Sequence, residues 1–200
     1  MRKTSAARAP GANSGRNRNS RPMARFGLPV TEVLVVADCW QNEPGAEAVI
    51  HRAIKTAAEF VNADLIDKGL IDKELGEAEL AVMLTDDAGI RTLNLNWRGI
   101  DQPTNVLSFP ALPPGPVSPD DAPRMLGDVA IAYQTTRKEA DDEQKPFDHH
   151  LSHLAVHGFL HLIGYDHEKD DDAEAMETLE QEILAQLGIP DPYADRERMY

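Results

Sequence analysis

The run His157-Gly158-Phe159-Leu160-His161-Leu162-Ile163-Gly164-Tyr165-Asp166-His167 restricts the fold more than any other stretch of this 200-residue chain. Its apolar residues call for a buried helix. Two histidines four residues apart then share one face of that helix, about one turn apart. Gly164 predicts the helix end, because glycine enters the left-handed conformation without strain. The chain can then turn back and bring His167 towards the same point. Three neutral imidazoles meeting there make a zinc-type site with an open fourth position, the catalytic rather than the structural pattern.

One residue type is missing from this run. Extended zinc proteases read His-Glu-x-x-His-x-x-Gly-x-x-His, and the glutamate deprotonates the attacking water. Here Gly158 holds the glutamate's place. The spacing points to metal-assisted hydrolysis, and the substitution points away from peptide bonds.

Charge is unevenly spread. Residues 1–31 carry seven Lys or Arg and no acid, which leaves 13 basic against 34 acidic residues in 32–200, a formal −21. An acidic body is a poor non-specific nucleic-acid binder, so an RNA or DNA role must rest on a local basic group or a metal. The lone cysteine, Cys39, excludes an internal disulfide and Cys-rich metal patterns. It reads as a half-buried residue on a strand, in a protein of a reducing compartment. No apolar run approaches the ~20 residues that span a bilayer.

Residues 1–28 lack apolar periodicity and read as a disordered basic tail. They have no apolar signal core. The same composition fits an organellar transit peptide, an upstream extension with translation starting at Met23, or an arm that helps grip RNA. Residues 29–200 read as one domain with a real core. Strands are predicted at 31–37, 79–84, 105–109 and 127–133, the last with Val129 and Ile131 on one face. Helices are predicted at about 45–68, 86–97, 146–163 and 170–187. The second helix should bury Ile90, Leu93 and Trp97. The last should turn Met176, Leu179, Ile183 and Leu187 to the core. A Pro-rich stretch, 110–123, reads as a stiffened surface loop. The mixture predicts an α+β or α/β single domain.

A second constellation lies upstream, Leu93-Asn94-Leu95-Asn96-Trp97-Arg98-Gly99-Ile100-Asp101-Gln102-Pro103-Thr104-Asn105-Val106-Leu107-Ser108-Phe109-Pro110. Alone, Arg98 would be a solvated helix end, and Asp101, Thr104 and Asn105 turn residues. Together with Leu126-Gly127-Asp128-Val129-Ala130-Ile131 and the histidine run, the segment closely resembles the YbeY family of bacterial endoribonucleases. The resemblance runs from about Leu80 to Asp191-Pro192-Tyr193. It implies a metal-dependent, single-strand-specific RNase of the cytoplasm. Such an enzyme matures the 3′ end of 16S rRNA and serves ribosome quality control, with the small ribosomal subunit and its proteins as partners. It implies a compact α+β domain with a small, mostly parallel sheet, one antiparallel edge and packed helices, and a metal site on a helix of the C-terminal half. It also implies His157, His161 and His167 as metal ligands, with Arg98 and His157 in catalysis. Family members often carry Lys where this chain has Ile100 and Gln102, and Tyr where it has Trp97. An indole can stack on a base, but the position also suits a half-buried aromatic at a helix end.

Zinc is the expected ion, although nickel, cobalt and copper also accept three imidazoles. It would polarise a phosphate, and Arg98 would fork onto two phosphate oxygens. Either water or the RNA 2′-OH can serve as nucleophile, and the two routes leave different ends. His153, four residues before His157, reads as a satisfied structural histidine or a proton shuttle. His149 and His150 have weaker claims, and Asp166 suits a turn. Asp128 could orient a ligand imidazole or simply cap a strand. Two other functions compete: a metallopeptidase-like zinc hydrolase, and a non-catalytic ribosome assembly factor that keeps a metal for stability.

Overall fold

The computed structural model describes residues 28–67, 77–111, 123–165 and 170–194. Four strands form one sheet in the order β1-β2-β4-β3: β1 Pro29–Val35, β2 Ala78–Thr85, β3 Val106–Pro110 and β4 Arg124–Ala132. β1 and β2 run parallel, as do β2 and β4, while β3 closes one edge antiparallel to β4. This is the α+β architecture with a mostly parallel mixed sheet that the family resemblance implies. The basic tail lies outside the described residues except for Leu28, as do 112–122 of the Pro-rich stretch.

The helices are α1 Ala46–Asp67, α2 Asp87–Arg98, α3 Tyr133–Asp142, α4 Phe147–Leu162 and α5 Asp170–Gln186. Alternation along β4 sorts them to two faces. Val129 and Ile131 join the large core with Ile54 and Ala57 of α1 and Phe159 and Leu160 of α4. Ala130 and Ala132 join a small cluster with Ile90 of α2 and Leu107 of β3. The sheet is therefore covered by α1 and α4 on one side and, over its β3–β4 half, by α2 on the other. α5 packs on α1 and α4. It contributes Met176, Leu179, Ile183 and Leu184 to the core, while Leu187 is half-buried.

Three expectations need correction. Tyr133 does not end a strand but opens α3, a helix the sequence reading missed. Its buried stripe is only Thr136 and Ala140, too small and polar to signal a helix. What holds α3 is long-range. The Arg137 guanidinium lies 4.2 Å over the Phe147 ring and bonds Glu43 at 3.0 Å. Cys39, expected on a strand, lies in the 3-10 turn Asp38–Asn42, where it is partly exposed. Trp97, expected in the core with Ile90 and Leu93, is 72% exposed.

Candidate functional site

α4 carries five histidines, at 149, 150, 153, 157 and 161, and the fold uses each differently. The helix packs tightly because Gly158 faces the sheet. A Cβ built there would lie 2.8 Å from Val129 Cγ1 and 3.1 Å from Cγ2, and Ser108 Oγ donates to the Gly158 carbonyl at 3.2 Å. The position where a zinc protease needs its glutamate thus points into a wall with no room for a methyl group. With this side of α4 on the sheet, the histidines at 153, 157 and 161 sit on the part-buried side turned towards α5.

The Nε2 atoms of His157 and His161 approach to 3.1 Å. Each ring is oriented through its other nitrogen. His157 Nδ1 bonds Glu180 Oε1 at 2.7 Å, and His161 Nδ1 bonds the Tyr165 carbonyl at 3.0 Å. A carbonyl only accepts, so His161 Nδ1 carries the proton and its Nε2 presents a lone pair when neutral. Burial alone would raise the Glu180 pKa, but hydrogen bonds from His153 and His157 outweigh it and hold it at about 2. Glu180 is thus an anion at neutral pH, and His157 Nδ1–H donates to it. Two lone pairs 3.1 Å apart repel unless a cation or a shared proton lies between them. A transition-metal ion fits this donor set, with both imidazoles pre-oriented by partners behind them.

The turn after α4 serves the same end. Gly164 is left-handed, with φ 103°, and Tyr165 N–H bonds the Leu160 carbonyl at 3.1 Å. This closes the helix as the sequence predicts and aims the Tyr165 carbonyl at His161. Asp166 and His167 lie outside the described residues. Among the described residues, no cluster of three or more His, Cys, Asp or Glu side chains is placed to hold a metal.

Glu180 is the residue that sequence reasoning missed. It is 1% exposed, and it bridges His157 to His153, which bonds its Oε2 at 2.9 Å. The Tyr193 hydroxyl donates to the same oxygen and lies 3.3 Å from His153 Nε2. A signal existed: Glu180 falls between Met176 and Ile183 inside the apolar stripe of α5, where an acid is costly unless paired. Asp128, considered for this role, is exposed in the middle of β4. His153 is both satisfied and one carboxylate removed from His157. His150 is buried and bonds Glu139 Oε2 at 2.9 Å, and Asn105 donates to the same oxygen. His149 lies at the helix start, half-buried. A cleft of about 940 Å³ opens beside this network, reaching His157, His153, Glu180 and Tyr193.

Arg98 ends α2, exposed to solvent. Leu107 and Phe109 of β3 pack towards α2, whereas Ser108 bonds α4. The edge strand therefore lies between the helix of Arg98 and the helix of the histidines. The segment after Arg98 is braced. Gly99 caps the helix with φ 72°, Asn94 donates to the Gln102 carbonyl at 2.8 Å, and Arg91 forks onto Asp101 at 2.6 and 2.8 Å. Asp101 thus ties the segment back to α2, and Asn105 ties it to Glu139 of α3, beyond the turn roles expected of them. Asn105 also accepts from its neighbour Val106 N–H at 2.7 Å.

The family described as Endoribonuclease YbeY matches residues 40–188, which span α1 to α5 and both constellations. The chain belongs to this family. An Endoribonuclease YbeY of Rhodopseudomonas palustris is 71% identical over 177 residues, covering 88% of this chain and 99% of that one. One of Nitrobacter hamburgensis is 67% identical over 193 residues, covering 96% of each. The solution structure of TM1509 from Thermotoga maritima aligns with a TM-score of 0.43 and 21% identity, over 79% of this chain and 91% of that one. The protein is an endoribonuclease, and its substrate is RNA. Among the described residues, no helix is long and apolar enough to cross a membrane.

Proposed function

We propose that the chain is a metal-dependent endoribonuclease of the cytoplasm that cuts single-stranded RNA. In this reading it acts on the 3′ end of 16S rRNA and in ribosome quality control, with the small ribosomal subunit and its proteins as partners. The observation that carries the metal is the facing pair of Nε2 atoms, 3.1 Å apart, each ring held from behind by its Nδ1. His157, His161 and His167 would hold the ion, zinc by the softness of three imidazoles. When bound, it supplies Lewis-acid polarisation of a phosphoryl oxygen.

The chain's own residues do the rest. Glu180 and the Tyr165 carbonyl fix both ring orientations, so no reorganisation is needed at the moment of reaction. The cleft beside His157 gives a strand room to lie. Arg98 supplies a permanent positive charge with fork geometry for two phosphate oxygens. Residues 29–200 act as the RNase domain. A peptidase reading is disfavoured because Gly158 faces Val129 and has no space for a carboxylate.

The test is cleavage of a single-stranded RNA by purified protein, with and without a chelator. Chelator-sensitive cutting that is lost in His157→Ala and Arg98→Ala supports the reading. Equal cutting by either variant would reject the assigned site.

A further inference from the structure

We infer that Trp97 is a stacking platform for an unpaired base of the RNA strand, next to the phosphate that Arg98 holds. The inference rests on the RNA-cleaving role proposed above and adds how the strand is gripped. Its first support is exposure. Trp97 is the most exposed large apolar side chain among the described residues, at 72%, although its spacing from Ile90 and Leu93 would suit the core. Near it in sequence, Leu95 and Ile100 are 46% and 49% exposed. An indole left in water next to a guanidinium is costly unless something covers it.

The second support is preorganisation. The ring rests against Phe109, 5.6 Å between centroids and tilted by 59°, so it is propped from one side. The backbone beneath it is fixed by the left-handed Gly99 and by the Asn94 and Arg91 bonds described above. A propped ring on a braced turn loses little freedom when a base lands on it. The third support is charge. The body of the protein is strongly acidic, and Ile100 and Gln102 flank Asp101 without adding a positive group. Phosphate attraction alone is therefore a weak grip here, and base stacking, which is indifferent to charge and to base identity, supplies the missing affinity. Duplex RNA hides its base faces, so a platform of this kind selects single strands.

The experiment compares wild type, Trp97→Ala, Trp97→Leu and Trp97→Tyr in steady-state cleavage of a short single-stranded RNA. Trp97→Ala and Trp97→Leu should raise KM by about 10-fold or more with kcat little changed, and Trp97→Tyr should recover most of the loss. In parallel, the His157→Ala protein is titrated with the same oligonucleotide while tryptophan emission is followed. The other tryptophan, Trp40, is 3% exposed and bonded to the Thr85 carbonyl at 2.8 Å, so Trp97 is the reporter. Single-stranded RNA should quench the emission, and an oligonucleotide of abasic residues should not. An unchanged KM in Trp97→Ala, or equal quenching by the abasic strand, would overturn the inference and leave the patch to a protein partner. Cleavage that survives in His157→Ala while KM still follows Trp97 would instead sink the histidine site and spare the platform.

Discussion

The two sides of the β3 edge solve the placement of charge in opposite ways. On the α4–α5 side, Glu180 is 1% exposed and its two oxygens tie together Tyr193, His153 and His157. On the α2 side, Arg98 and Trp97 stand in solvent at a helix end whose following turn is held by local bonds. The buried side gains precision from low dielectric and fixed partners, and it loses stability when one partner goes. On the exposed side, Arg98 stands clear of the core, so it can be changed without disturbing the fold. The family resemblance assigns function to both sides, but only the first is also a structural element.

This contrast makes predictions that fall in order of size. Arg98→Ala should lower kcat/KM by about 100- to 1000-fold, as loss of a preorganised charge partner does, with an unchanged Tm. A drop in Tm alongside activity would show that Arg98 is woven into the fold after all. Glu180→Gln should weaken metal affinity by roughly 10- to 100-fold and also lower Tm in the metal-free protein. Isothermal titration and thermal melts would read the two effects separately. An unaltered melt would break the distinction between the sides. Gly158→Ala should cost about 1–3 kcal/mol in urea unfolding, the ordinary cost of overpacking. A neutral result would mean that Val129 can move aside.

The smallest effect concerns pH. Glu180 is held at about 2, below its ordinary 4.5, by the His153 and His157 hydrogen bonds that outweigh its burial. A depressed carboxylate stabilises the fold above its unfolded value and loses that contribution as pH falls through its folded one. Glu139 is lowered too, with burial opposed by hydrogen bonds from His150 and Asn105. Urea midpoints of the metal-free protein should therefore decline from about pH 4.5 towards 2, and Glu180→Gln should flatten that slope. A parallel slope in the variant would assign the acid sensitivity elsewhere.

The α4 side was legible wherever spacing alone decides. His157 and His161 follow from helical periodicity, and the left-handed Gly164 follows from the end of an apolar run. Glu180 was not legible as a partner of His157, because they are 23 residues apart and meet only when α5 packs on α4. The helix α3 was hidden for a related reason. Its Arg137 is anchored on Phe147 and Glu43, outside its own sequence. Trp97 fails in the other direction. Its spacing from Ile90 is right for burial, but α2 ends in solvent past the small cluster over β3 and β4, so the ring leans on Phe109 and stays 72% exposed. Periodicity reports which face a side chain takes, and not whether a neighbour is there to meet it.

The close contact between Gly158 and Val129 also bears on ancestry. A lineage could not convert this scaffold to carboxylate-assisted hydrolysis by one substitution, because the new side chain would first have to displace a methyl group of the adjoining strand. Val129 is in that sense a lock on residue 158. The enlarged neighbour becomes available only after a hollow has been opened in β4, at a cost in stability that selection would have to tolerate before any new chemistry appeared.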